Sequence, residues 1–147
     1  MRTSNWILVA SHVSALALGL TLGYQIPHWY HSYCLRKETD QIEAQIKQNP
    51  KDADNWSSLG VSKSSAGDYS GARADFRKAL ELDSTNVTAS IGIGNLYFQA
   101  RDFDSATKWY ANALEMAKRH NDSSQIATAQ QLLKIAQERK TTQRKER

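Results

Sequence analysis

Apolar positions divide the chain into stretches of different character. From Trp6 to Ile26 nearly every position is apolar, and no Asp, Glu, Lys or Arg interrupts the run. Beyond it the hydrophobic residues thin out and recur at three- and four-residue steps, the spacing that lines one face of a helix. Leu59, Phe76, Leu80 and Leu82 lie on such stripes, and Ile126, Ala129, Leu132, Leu133 and Ala136 form another. Short polar breaks separate them: Asn49-Pro50, Gly67-Asp68, Arg101-Asp102 and Asn121-Asp122-Ser123-Ser124. Glycine ends a helix with a left-handed residue, and Asp or Asn caps the next one. Arg101-Asp102 keeps the cap without the glycine stop. The pattern predicts an all-α chain, with a helix over 38–48, two helical hairpins and a closing helix after Asn121.

The stripes repeat. Trp56-x-x-Leu59-Gly60 aligns with Ser90-x-x-Ile93-Gly94 at an offset of 34 residues. The same offset pairs Tyr69 with Phe103, Ala72 with Ala106, Phe76 with Tyr110, Ala79 with Ala113 and Leu80 with Leu114. Gly60, Ala72, Gly94 and Ala106 stand where two helices of a hairpin must approach closely, so a larger side chain would push them apart. Carried backwards, the frame puts Ile42 at the place of Phe76, Ile46 at Leu80 and Pro50 at Ser84. Residues 38–48 are therefore the second half of an earlier unit. A short array needs covers at both ends, and the helix after Asn121 supplies the other.

The 34-residue unit resembles the tetratricopeptide repeat. The first unit, 53–86, carries Trp56, Leu59, Gly60, Gly67, Tyr69, Ala72, Phe76 and Ala79 at the family positions; Lys63 and Ser84 depart from an aromatic and a proline. The second, 87–120, carries Ile93, Gly94, Tyr97, Phe103, Ala106, Tyr110 and Ala113; it departs at Ser90, Arg101 and Lys118. The resemblance implies a right-handed helix-turn-helix solenoid. Its concave groove, lined by the first helix of each unit, would take a segment of another protein. Position by position, that groove is expected at Asp54, Ser57, Val61 and Ser64, then Thr88, Ile91, Asn95 and Phe98. Asn95 stands where the family uses an amide to hold a peptide backbone, with Ile91 and Phe98 on the same stripe. The lysine and asparagine of the family's chaperone-tail binders are replaced here by Ser57 and Val61, so that carboxylate clamp is absent. The entry from Ile42-Glu43-Ala44 to Gly60 also resembles the repeat domain of bacterial cytochrome c maturation assembly factors. Those are membrane-anchored, with the repeats in the periplasm.

The apolar run changes this picture. As a helix it spans roughly 30 Å, the thickness of a hydrocarbon core. Trp6 flanks it on one side, and Tyr24, Trp29, Tyr30 and Tyr33 on the other, as an interfacial belt. Pro27 ends or kinks it. A cleaved signal peptide would have a shorter apolar core and small residues before the cut; the run is read as a retained single-pass anchor within residues 1–32. Ser11, Ala15, Gly19 and Gly23 recur every four residues, a small-residue ridge suited to helix packing or self-association in a membrane. Charge cues for sidedness conflict: Arg2 precedes the run, and Arg36 and Lys37 follow it. For a bacterial source, the assembly-factor resemblance favours the inner membrane with periplasmic repeats. Residues 33–52 are a linker plus the half-unit, 121–139 the capping helix and 140–147 a basic tail.

Charge and chemistry exclude more than they add. The net charge of +4 is mixed along the chain, which is no nucleic-acid profile. From Lys134 on, six basic and two acidic side chains form an end that suits either solvent or an anionic lipid surface. Cys34 is the only cysteine. His28, His31 and Cys34 are spaced three apart, but such residues are ordinary at a membrane interface, and no metal or cofactor is expected. No phosphate loop, His-Glu-x-x-His or nucleophile elbow is present, so no catalytic residue is expected. The expected function is a membrane-anchored interaction module or assembly scaffold for a partner segment. The alternatives are a subunit bracing a membrane complex through its anchor, and an apoprotein-binding factor of the cytochrome c maturation type.

Overall fold

Five of the helix starts among the described residues are each built from one side chain. In the computed structural model, which describes residues 28–146, the carboxylate or amide oxygens of Asp52, Asp68, Asn86, Asp102 and Asp122 accept backbone N–H groups in the first turns that follow. These caps delimit six helices among the described residues: α1 His28–Gln48, α2 Ala53–Ser65, α3 Tyr69–Leu82, α4 Val87–Gln99, α5 Phe103–Arg119 and α6 Ser123–Lys145. The apolar run 6–26 and the Ser11, Ala15, Gly19 and Gly23 ridge lie outside the described residues, as do the His28, His31 and Cys34 side chains. Among the described residues no helix is long and apolar enough to cross a membrane.

Three helix ends share one geometry. Gly67, Arg101 and Asn121 have φ of 86°, 60° and 55°. The next residue's N–H reaches back to the carbonyl five positions earlier: Asp68 to Lys63 at 2.9 Å, Asp102 to Tyr97 at 3.0 Å and Asp122 to Ala117 at 3.2 Å. Arg101 was expected to contribute nothing to the stop, but it makes the full left-handed turn. The hydrogen bonds of the turn hold it there at a steric cost that Gly67 does not bear.

Helices α2 and α3 form one hairpin, α4 and α5 the next, and α6 packs on α5. The 34-residue frame is explained by two rings. A Cβ on Gly60 would meet the Phe76 ring at 2.7 Å, and one on Gly94 would meet Tyr110 at 2.6 Å. Phe76 is also pressed on its other side by Gly92, from the following hairpin, so one ring locks two units together. Ala72, Ala79, Ala106 and Ala113 are fully buried, as close helix approach demands.

The end helices differ from expectation. Helix α1 is continuous from His28, so the expected linker at its start is helical. Ile42 is buried on it, and a 2.7 Å hydrogen bond between the hydroxyls of Thr39 and Ser62 joins it to α2. Helix α6 runs on to Lys145, through the boundary expected at 139. Ala129 joins Val87, Ala113 and Ala117 in one cluster, and Ala136 joins Ala106 and Tyr110 in another. Lys140 and Arg144 then reach Asp104 on α5, which ties the basic end to the second hairpin.

Candidate functional site

The first helices of the two hairpins, α2 and α4, frame a groove of about 520 Å³. Val61, Ser64 and Ser65 line it from α2; Thr88, Ile91, Asn95, Phe98 and Gln99 line it from α4. Phe76 and Gly92 contribute to the lining between them, and Gln125 and Thr128 of α6 line it from the third side. No Asp, Glu, Lys or Arg is among these residues. Six of the eight expected groove positions meet here: Val61, Ser64, Thr88, Ile91, Asn95 and Phe98.

The other two do not. Ser57 is 2 % exposed, and its hydroxyl donates to the Asp54 carbonyl at 3.0 Å. It is a buried residue satisfied by its own turn, unavailable to a partner. The Asp54 carboxylate accepts from Asn86 Nδ2 at 2.9 Å, while Asn86 Oδ1 accepts the Ala89 N–H. Asp54 therefore braces the cap of α4 outside the groove. The expected row of four residues on α2 shortens to its C-terminal half.

Asn95 is held from behind. The Tyr110 hydroxyl donates to Asn95 Oδ1 at 2.7 Å. Tyr110 is a core residue, and burial pushes its phenol up to about 12. Donation by Tyr110 is its one side-chain hydrogen bond, so the amide must present Oδ1 to it. Asn95 Nδ2 is left without a partner among the described residues, as a donor for the groove. Phe98 has two roles: it stacks edge-on against Phe103 at 5.1 Å, packs on the Tyr110 and Ala136 cluster, and shows its remaining face to the groove.

Ser65, Phe76, Gly92, Gln99, Gln125 and Thr128 were not anticipated in the groove. One signal was available. Moving the frame on by another 34 residues puts Gln125 at the place of Ile91, so α6 stands as the first helix of a third, unfinished unit. Among the described residues no cluster of three His, Cys, Asp or Glu side chains is placed to hold a metal ion.

Two stacked helical hairpins with an inner groove and a third first-helix define a helical repeat solenoid. Residues 64–133 match the model of the tetratricopeptide repeat family. No curated protein sequence matches the chain significantly. Among solved structures, the TPR2B-domain:pHsp70 complex of yeast Sti1 is 22 % identical with a TM-score of 0.65, over 75 % of this chain and 88 % of that one. PcrH in complex with the chaperone-binding region of PopD is 20 % identical with a TM-score of 0.65, over 86 % of this chain and 94 % of that one. The Yersinia enterocolitica type III secretion translocator chaperone SycD is 14 % identical with a TM-score of 0.64, over 76 % and 78 %. At these identities the likeness establishes the fold.

Proposed function

We propose that this chain is a protein-interaction module whose concave groove takes an uncharged, largely apolar segment of a partner protein. The observation that carries the reading is the absence of any charged side chain from the groove lining, combined with the free amide donor of Asn95. A charged side chain entering this groove would give up hydration without gaining a counter-ion. An apolar one would cover Ile91 and Phe98, while Asn95 Nδ2 bonds a backbone carbonyl without reading sequence. Peptide complexes of the similar yeast Sti1 and PcrH structures support the same use of the fold.

The finer reading adds a membrane. The uncharged run 6–26 would anchor the repeats at a bilayer, with Ser11, Ala15, Gly19 and Gly23 packing against another helix. Resistance of the full chain to alkaline extraction from membranes tests this part alone; release into the wash removes the anchor and leaves the groove untouched.

A peptide array probed with the full chain tests the groove. Bound peptides should be depleted of Asp, Glu, Lys and Arg, and Asn95→Ala should weaken them all at temperatures where the variant stays folded, its own stability falling modestly with the lost Tyr110 hydrogen bond. Binders rich in acidic residues, or binding that ignores Asn95, would overturn the proposal.

A further inference from the structure

On α4, Ile91 and Asn95 face the groove while Ile93 and Tyr97 face the other way, as two-residue steps require at 3.6 residues per turn. That second face meets α3 and α5 in a separate cavity of about 330 Å³, and it shares no residue with the groove. Its apolar lining comes from Leu80, Ile93 and Trp109. Arg73 lies over the Tyr97 ring, 5.0 Å from the centroid, and Arg77 stands one turn further along the same face of α3. Neither guanidinium makes an ion pair among the described residues, although Lys63, Lys78, Arg119, Lys140 and Arg144 all do.

We infer that this outer cavity is a second docking site, for a peptide segment of a partner protein that carries a carboxylate beside an apolar side chain. The Tyr97 ring holds the Arg73 guanidinium at this face without using its N–H donors, which can bond a carboxylate in a forked pair. Arg77 adds a second positive charge on the same side. An apolar neighbour of the bound acid then covers the half-buried Trp109 and Leu80, which a free inorganic anion would leave wet. Glu81 stands in the same lining and is already paired with Lys78 at 3.1 Å. Its negative charge penalises a phosphate dianion more than a single carboxylate, so the cavity selects an acidic side chain over a phosphorylated one. Two arginines opposed by a glutamate are likewise too few cations for a nucleic-acid backbone. The two sites thus differ in chemistry: the groove excludes charge, and this cavity requires one negative group.

The test uses the full chain in a zwitterionic detergent and three capped heptapeptides, with Glu, Gln or phosphoserine set between two leucines. Binding is read from the Trp109 indole and arginine Nε–H signals by NMR, with Trp109→Phe assigning the indole. The Glu peptide should shift these signals, and the Gln peptide should bind about tenfold more weakly, as expected on losing a charge-assisted pair. Arg73→Gln and Arg77→Gln, both at surface positions, should each weaken the Glu peptide severalfold. Asn95→Ala should leave it unchanged, so failure of the groove and failure of this site are told apart. Equal binding of the Gln peptide, tighter binding of the phosphoserine peptide, or no Trp109 shift at millimolar Glu peptide would each overturn the inference.

Discussion

The hydroxyl of Tyr110 donates to the side-chain oxygen of Asn95 at 2.7 Å, so a core residue of the second hairpin orients a donor in the groove wall. Packing and recognition share one bond. Tyr110→Phe keeps the ring against Gly94 but releases the amide. Stability should fall by about 0.5–1.5 kcal/mol, the net worth of one hydrogen bond, while partner binding falls further because Asn95 is free to rotate. Calorimetry and binding on the same samples check this; a variant that binds like the parent would show that the amide needs no orienting.

Tyr110 also sets an alkaline limit. Its folded phenol lies at about 12, above its unfolded value near 10. The raised value means its contribution is fully present below pH about 10 and is lost as pH rises through 12. Tyr110→Phe should therefore flatten the alkaline arm of the stability profile. An arm of unchanged slope would contradict the burial of this phenol.

Lys63 occupies a position where the repeat family has an aromatic, and the sequence offered no reason for it. The structure does: its Nζ lies 2.7 Å from Asp75 Oδ2, with the side chains 27 % and 8 % exposed. Burial pushes the Asp75 carboxyl up, the Lys63 ammonium opposes that, and Asp68 and Glu43 add to the upward push. Lys63→Ala leaves a buried carboxylate alone and should cost about 1–3 kcal/mol at neutral pH. Because the folded value is raised, that deficit should shrink as pH falls and the carboxyl takes a proton. Adding Asp75→Asn should restore most of the loss at pH 7; a double variant no better than Lys63→Ala would contradict the pairing.

Two of the three left-handed stops, Gly67 and Arg101, offer a matched comparison. Arg101→Gly should stabilise the chain by about 0.5–1 kcal/mol, since glycine adopts that backbone without a Cβ clash. Gly67→Ala should destabilise it by about 1–2 kcal/mol for the converse reason. Nothing lies within 4 Å of a Cβ at Gly67, so the loss would be backbone strain alone. Thermal melts of the pair check both signs.

Much of the fold was legible because the repeat encodes contacts within a unit. Gly60 with Phe76, and Gly94 with Tyr110, fall at one offset and announce each other. Contacts between units carry no such mark: Gly92 against Phe76 joins different hairpins and appears at no repeated position. The groove was legible as a stripe on α2 and α4, but a stripe gives direction and not depth. Ser57 shares the direction of Val61 and is buried. Asp54 is drawn off by Asn86, 32 residues away, which no local pattern reveals. The closing wall at Gln125 and Thr128 was hidden because α6 reads as a cover until the frame is moved on once more.

Gly92→Ala tests the contact between hairpins. The added methyl would collide with the Phe76 ring, and overpacking should cost about 1–3 kcal/mol. The ring also lines the groove, so its displacement should weaken partner binding at temperatures where the fold persists. Unchanged melting would mean that the two hairpins do not share Phe76.

The central claim, that the groove holds an uncharged partner segment, is tested most directly by photo-crosslinking from Thr88, an exposed residue in the groove lining. A photoreactive side chain placed there in the full chain, with one at exposed Lys108 on α5 as the control, is activated in source-cell extract, and the joined peptide is sequenced. One recurrent segment should be joined from Thr88, apolar at the joined residues and free of Asp, Glu, Lys and Arg there, and should be absent from Lys108. A charged segment at Thr88, or the same peptides from both positions, would contradict the claim.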